Sequence, residues 1–284
     1  MKFEDKFIAF VDVLGFKGLV EASEAGTGLS LPELMECLTK LGKKADEERF
    51  ERIGPTTCPQ SKYIERNLNF KVTQISDCVI VSSEVSPAGV INLISHCWGA
   101  VIELLMKGIM CRGYITRGRI YHQNGQVIGT GYQRAYVSEA AVSAFKIEAD
   151  ERGTPFVEVD QEICQFVEQE TDACVKMMFS RMVKTENGTT ALFPFQCLSH
   201  SFMIGGFGQK FDPKKEKASN DNVRQLLANL KERVLAYVNA DNPKAVKKAR
   251  HYILALENQM AQCNKTDELI DMLCKPLPFR DPQA

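Results

Sequence analysis

The stretch Phe7-Ile8-Ala9-Phe10-Val11-Asp12-Val13 constrains this chain more than any other. Its aromatic and β-branched residues suit a buried central strand, and a carboxylate inside such a strand is costly unless it is paired or bound to a cation. Asp12 therefore demands a partner. After Leu14-Gly15-Phe16 the apolar spacing lengthens toward a helical period, so the segment reads as strand, turn and helix. In that arrangement Asp12 either caps the helix that begins near Phe16 or serves a ligand at the strand end.

Further along, Ser30-Leu31-Pro32-Glu33 carries the start signals of a second helix, expected to run to about Phe50, and Arg52 to Tyr63 reads as a loop. Asn69 to Ile75 and Cys78 to Ser82 are expected strands around Ser76-Asp77, a tight hairpin whose turn carries an acid. Ser86-Pro87 opens a long apolar helix through Leu105, stopped at Gly108. Ile109 to Tyr121 contains a strand, Asn124-Gly125 is a turn, and helical spacing returns from Tyr132 to Ala149. Phe156 to Val159 is a brief strand before a helix from Gln161 to Gln169, and Lys176 to Lys184 with Thr189 to Phe195 read as hairpin arms about Asn187-Gly188. Met203 to Lys217 reads as a loop, ahead of amphipathic helices from Asn222 to Tyr237 and Pro243 to Gln262 and a polar tail from Pro276. The alternation predicts an α/β or α+β domain up to about residue 200, followed by a helical extension.

Composition narrows the function classes. With 44% hydrophobic and 25% charged residues the chain is in the globular range. Its net charge of -1 argues against bulk binding of long nucleic acid or of an anionic membrane surface, which leave a basic excess. The ten cysteines never fall at C-x-x-C spacing and most sit in apolar runs, so a structural zinc site is not expected. No stretch approaches about 18 uninterrupted apolar residues, and acids stand where a signal peptide needs basic residues. A soluble protein of the reducing cytoplasm is expected.

Asp12 and Asp77 say more together than apart. An acid at the end of a first strand, followed by a glycine that lets backbone amides approach a ligand, can be set beside an acid on a neighbouring hairpin tip. Two such carboxylates can bridge two divalent cations for in-line attack at phosphorus. Other features carry less: Gly205-Gly206-Phe207-Gly208 with Lys210 lacks the order of a P-loop, the four histidines have no metal spacing, and His96 reads as a core residue.

The phrase Phe10-Val11-Asp12-Val13-Leu14-Gly15-Phe16 resembles the F-x-D-x-x-G-F signature that opens the catalytic domain of class III nucleotidyl cyclases. The hairpin acid at Ser76-Asp77 and the strand Arg112-Gly113-Tyr114-Ile115-Thr116-Arg117-Gly118 follow in that family's order, and the resemblance covers roughly residues 5 to 150. Purine cyclases carry a lysine four residues before the second acid, where this chain has Thr73, and Gly131 to Glu139 lacks their asparagine and arginine. With the phrase Ala135 to Glu139 (A-Y-x-x-E), the set is similar to the bacterial pyrimidine cyclases of Pycsar antiphage defence.

That resemblance implies an α+β, class III cyclase-like fold with a ferredoxin-like βαββαβ core. Residues 1–200 would be the catalytic domain, and 201–284 a helical extension packed on or near it. It implies two Mn²⁺ or Mg²⁺ ions held by Asp12, Asp77 and the Val13 carbonyl, with backbone amides at Leu14, Gly15 and Phe16 facing phosphates. Arg112 would contact the triphosphate, and Thr73 or the loop around Tyr63 would read the base. Arg117 and Arg119 are expected to share the Arg112 face. The substrate would be UTP, or CTP as the alternative, turned over by a homodimer with sites at its interface, and the cyclic product would act on a separate effector. Two rivals remain: a catalytically inactive cyclase-fold nucleotide sensor, and a helical interaction protein whose first half is scaffold.

Overall fold

A computed structural model describes residues 1–42, 44–55, 65–149, 157–186, 188–197 and 212–274. In chain order the elements are β1 (Glu4–Val13), α1 (Phe16–Glu24), α2 (Leu31–Leu41), α3 (Ala45–Ile53), β2 (Lys71–Ile75), β3 (Cys78–Glu84), α4 (Pro87–Leu105), β4 (Cys111–Gln123), β5 (Gln126–Ile128) and α5 (Thr130–Ala149). Then come β6 (Val157–Val159), α6 (Gln161–Gln169), α7 (Ala173–Met182), β7 (Val183–Glu186), β8 (Thr189–Leu192), α8 (Pro213–Ala236) and α9 (Pro243–Cys274). One sheet runs β2-β3-β1-β4-β6-β8-β7, with β5 folded back on β4. Neighbours are antiparallel except β4 and β6, which are parallel. The fold is α+β with a mixed sheet.

The predicted first strand lies inside this sheet, between β3 and β4, and its alternation assigns two faces. Phe7, Ala9, Val11 and Val13 enter the larger core with Leu93, Ile94 and Cys97 of α4. Ile8 and Phe10 enter a smaller cluster with Ile80, Ile120 and Ala135, the last supplied by α5. Helix α4 starts where Ser86 accepts the Gly89 amide, with Pro87 in its first turn. It is the one helix among the described residues long and apolar enough to cross a membrane, yet 67% of that stretch is buried inside the fold. It is the central core helix.

A third cluster joins α8 and α9 to Leu105, Met110, Phe193 and Phe195, and Leu14 packs against it. The Arg233 guanidinium donates to the Met106 carbonyl, and the Tyr252 hydroxyl donates to the Cys111 carbonyl while accepting the Cys111 amide at 3.0 Å. The C-terminal helices thus dock on the turn between α4 and β4.

Several boundaries differ from those read in the sequence. The helix expected from Ser30 to Phe50 is two helices broken at Gly42, where a Cβ would come within 2.8 Å of the Gln74 Cβ; the close approach to β2 needs glycine. Lys176 to Met182 is not a strand: α7 runs to Met182, because Val175, Phe179 and Met182 recur at helical spacing on its buried face. The hairpin beyond it survives with shorter arms, pairing Glu186 with Thr189. Lys214 to Lys217 belongs to α8 rather than to a loop, started by the Asp212 carboxylate accepting the Lys214 and Lys215 amides. The expectations for Tyr63, Asn187, Gly205 to Lys210 and the tail from Pro276 fall outside the described residues.

Candidate active site

Strand register assembles the site. In the antiparallel ladders Asp12 stands opposite Arg112 of β4 on one side and Cys78 of β3 on the other. Asp77 precedes Cys78 in the two-residue turn between β2 and β3, where Ser76 adopts a left-handed φ of 54°. The Val13 amide donates to the Asp77 carbonyl at 3.1 Å, and the Leu14 amide donates to the Met110 carbonyl at 2.8 Å. Both acids therefore meet at the same sheet end. Gly15 then turns the chain with φ 73°, a conformation that favours glycine, and opens α1 with no side-chain cap.

Arg112 spans two acids. Its Nε and Nη2 donate to Asp12 Oδ2, each at 3.1 Å, and its Nε lies 2.7 Å from Glu139 Oε1. Glu139 comes from α5 and its side chain is 3% exposed, against 17% for Asp12. Burial pushes the Asp12 carboxyl up to about 6; Arg112 opposes the rise, while Asp77 and Glu139 add to it. The neighbouring Cys78 thiol is pushed up to about 11 by burial and then by Asp12 and Asp77. Two carboxylates share one guanidinium, and the Asp77 charge acts on Asp12 from beside them, which leaves this pocket short of positive charge.

Those donors fit a divalent cation in kind, since Asp12 and Asp77 offer hard oxygen ligands beside an incompletely compensated negative charge. No group of three or more His, Cys, Asp or Glu side chains poised for a metal occurs among the described residues. Protein ligands to an ion here would be the two aspartates and a backbone carbonyl such as that of Val13.

Comparison of the chain with protein-family models, with curated proteins and with solved structures finds no match.

The remaining sequence candidates are placed as follows. The Leu14 amide is committed to Met110, so the amides left at this turn for a ligand are those of Gly15 and Phe16. Thr73 shares the Asp12 face of the sheet but is buried, its hydroxyl 2.9 Å from His122 Nε2, while His122 Nδ1 lies 2.8 Å from the Ser82 hydroxyl. A cavity of about 420 Å³ opens beside it, lined in part by Lys44, Lys71 and Asn124. Arg117 does not share the Arg112 face, contrary to the expectation: an odd spacing of five along an unbroken ladder turns it over, and it pairs with Asp5 at 2.7 Å. Arg119, seven positions from Arg112 in the same ladder, is turned over with it. His96 is the expected core residue, with Nδ1 2.8 Å from Asp46.

Two residues had no assigned role in the sequence reading. Glu139 was legible only as the end of a phrase, although its spacing from Tyr132 and Ala135 places an acid on an apolar helix face. Tyr252 gave no signal at all, because its role depends on where α9 docks.

Proposed function

We propose that this protein is a pyrimidine nucleotide cyclase that converts UTP to 3′,5′-cyclic UMP and pyrophosphate. The observation that carries the reading is the convergence of Asp12 and Asp77 at one sheet end, beside an uncapped helix start and an arginine. The strand order β2-β3-β1-β4, all antiparallel, supports it, being the order expected of a ferredoxin-like βαββαβ core of the class III cyclase kind.

Asp12, Asp77 and the Val13 carbonyl would hold the divalent ions, which when bound supply charge neutralisation of the polyphosphate and a more acidic ribose 3′-hydroxyl. Arg112 serves the phosphates, for which its planar fork offers two donors at once. The Gly15 and Phe16 amides, at the start of α1, add partial positive charge toward the same oxygens. Glu139 and the register of β1 on β4 hold Arg112 in place, so its geometry is set before substrate arrives. Tyr136 and Val137, exposed on α5, offer an apolar surface for the second copy of a homodimer. In the cell the cyclic product would act in the cytoplasm on a separate effector of antiphage defence.

Incubation of the purified chain with each of the four ribonucleoside triphosphates and Mn²⁺, with products read by mass spectrometry, tests the proposal. Cyclic UMP with pyrophosphate is expected, and Asp12→Ala and Asp77→Ala should abolish both. Cyclic CMP alone would move the base assignment to cytosine. The Arg112–Asp12 ion pair, which occupies one proposed ligand, favours a second reading as a nucleotide-binding sensor. Nucleotide binding without pyrophosphate release from any triphosphate would select it.

A further inference from the structure

We infer that Glu139 is the positioning residue that retains Arg112 when Asp12 is given over to a cation, an inference that rests on the two-cation reading above. The ion pairs of Arg112 are asymmetric. Arg112 reaches Asp12 through one oxygen, at 3.1 Å from both Nε and Nη2, and reaches Glu139 more closely, at 2.7 Å from Nε. Nε thus lies within ion-pair distance of both acids.

The two acids differ in what leaving Arg112 entails. Asp12 stands at a strand end with 17% of its side chain exposed and Asp77 beside it, so water or a cation can replace the guanidinium. The Glu139 side chain is 3% exposed, and parting a buried carboxylate from a cationic partner is expensive. Glu139 is therefore the anchor and Asp12 the exchangeable partner. Once Asp12 takes a cation, Arg112 keeps its Nε on Glu139, and the Nη2 donor that had served Asp12 becomes available to an anionic ligand. Without Glu139, Arg112 would settle on Asp12 and compete directly with the cation.

The test is Mn²⁺ binding to the full chain without nucleotide, read from the free-ion signal in electron paramagnetic resonance. Glu139→Gln is expected to weaken Mn²⁺ binding by about tenfold, the range seen when a group orienting a metal site is removed. Arg112→Met, which frees Asp12, is expected to tighten binding. In the Arg112→Met background the Glu139→Gln effect should shrink to a small residue of lost negative charge, and Glu139→Asp should restore most of the affinity when Arg112 is present. An equal loss in both backgrounds would overturn the inference, since Glu139 would then act by bulk charge or as a direct ligand. Unchanged binding in folded Glu139→Gln, checked by circular dichroism, would overturn it as well. Absence of Mn²⁺ binding in both the wild type and Arg112→Met would instead remove the two-cation reading itself.

Discussion

Tyr252 of α9 holds both backbone polar groups of Cys111, the residue immediately before Arg112: its hydroxyl accepts the Cys111 amide at 3.0 Å and donates to the Cys111 carbonyl. Tyr252 is fully buried, and burial pushes its phenol well above the ordinary value, which keeps the donated proton in place. The C-terminal hairpin of helices thereby fixes the first residue of β4, next to the arginine of the site.

Tyr252→Phe keeps the ring and deletes both hydrogen bonds, leaving a buried amide and carbonyl short of a partner. A loss of about 1–3 kcal/mol is expected, read as a lower urea midpoint with an unchanged slope. Because Arg112 follows directly, the variant should also raise the KM for triphosphate. A stability loss with wild-type kinetics would confine Tyr252 to packing.

Asp12→Asn should trade activity for stability. The Asp12 carboxyl sits at about 6 in the fold against 3.8 unfolded, so ionising it opposes folding: its favourable contribution is complete below about pH 4 and is lost as pH rises through about 6. At pH 7.5 the neutral amide should therefore stabilise the chain, by about 1–2 kcal/mol once solvent screening of a partly exposed group is allowed for. Turnover should vanish. A melting temperature below wild type at pH 7.5 would count against an electrostatic penalty at Asp12.

His122 acts with the opposite sign. Burial, and then the nearby Lys6 and Lys71, lower its pKa from 6.5 to about 3, and its two nitrogens are bonded to Ser82 and Thr73. Its contribution to stability is complete above pH 6.5 and is lost as pH falls toward 3, because the unfolded chain then binds a proton that the fold refuses. The His122 share of that loss is on the order of 3 kcal/mol between pH 6.5 and 4, and Asp12 offsets part of it. His122→Gln should remove the acid-side loss, so that urea titrations at a series of pH values show stability holding or rising between pH 6.5 and 4. An unchanged pH dependence in the variant would sink the assignment to His122.

Gly118 and Gly131 bring β4 and the first turn of α5 into backbone contact: a Cβ on Gly118 would lie 2.7 Å from the Gly131 Cα. Gly118→Ala must push α5 outward, at about 1–3 kcal/mol, and α5 carries Glu139. Reduced stability together with weaker Mn²⁺ binding is expected; reduced stability alone would show that α5 yields without moving Glu139.

Much of this was legible along the chain because it is local. The apolar run through Asp12, the acid in the Ser76-Asp77 turn, the proline-capped helix at Ser86 and the helix from Gln161 to Gln169 all follow from spacing and turn chemistry, and each stands where its residues place it. Where local signals misled, packing had overridden them. Gly42 ends a helix because β2 passes close by. The helical spacing of Val175, Phe179 and Met182 is by contrast itself a local signal, and the neighbouring Asn187-Gly188 turn signal draws the strand boundary too far back.

The site divides in the same way. That Asp12 needs a partner follows from one carboxylate in one apolar strand, a desolvation argument that requires no fold. Which partner it has depends on register: β4 could have slid by one residue without altering any local preference, and every side chain would then have faced the other way. Only the folded chain pairs Asp12 with Arg112 and puts Arg117 on the opposite face. Likewise only the fold brings Glu139 and Tyr252, 27 and 140 positions from Arg112, to its side. Desolvation is a property of a residue and its neighbours in sequence; the choice of counter-charge belongs to contacts between strands and helices far apart in the chain.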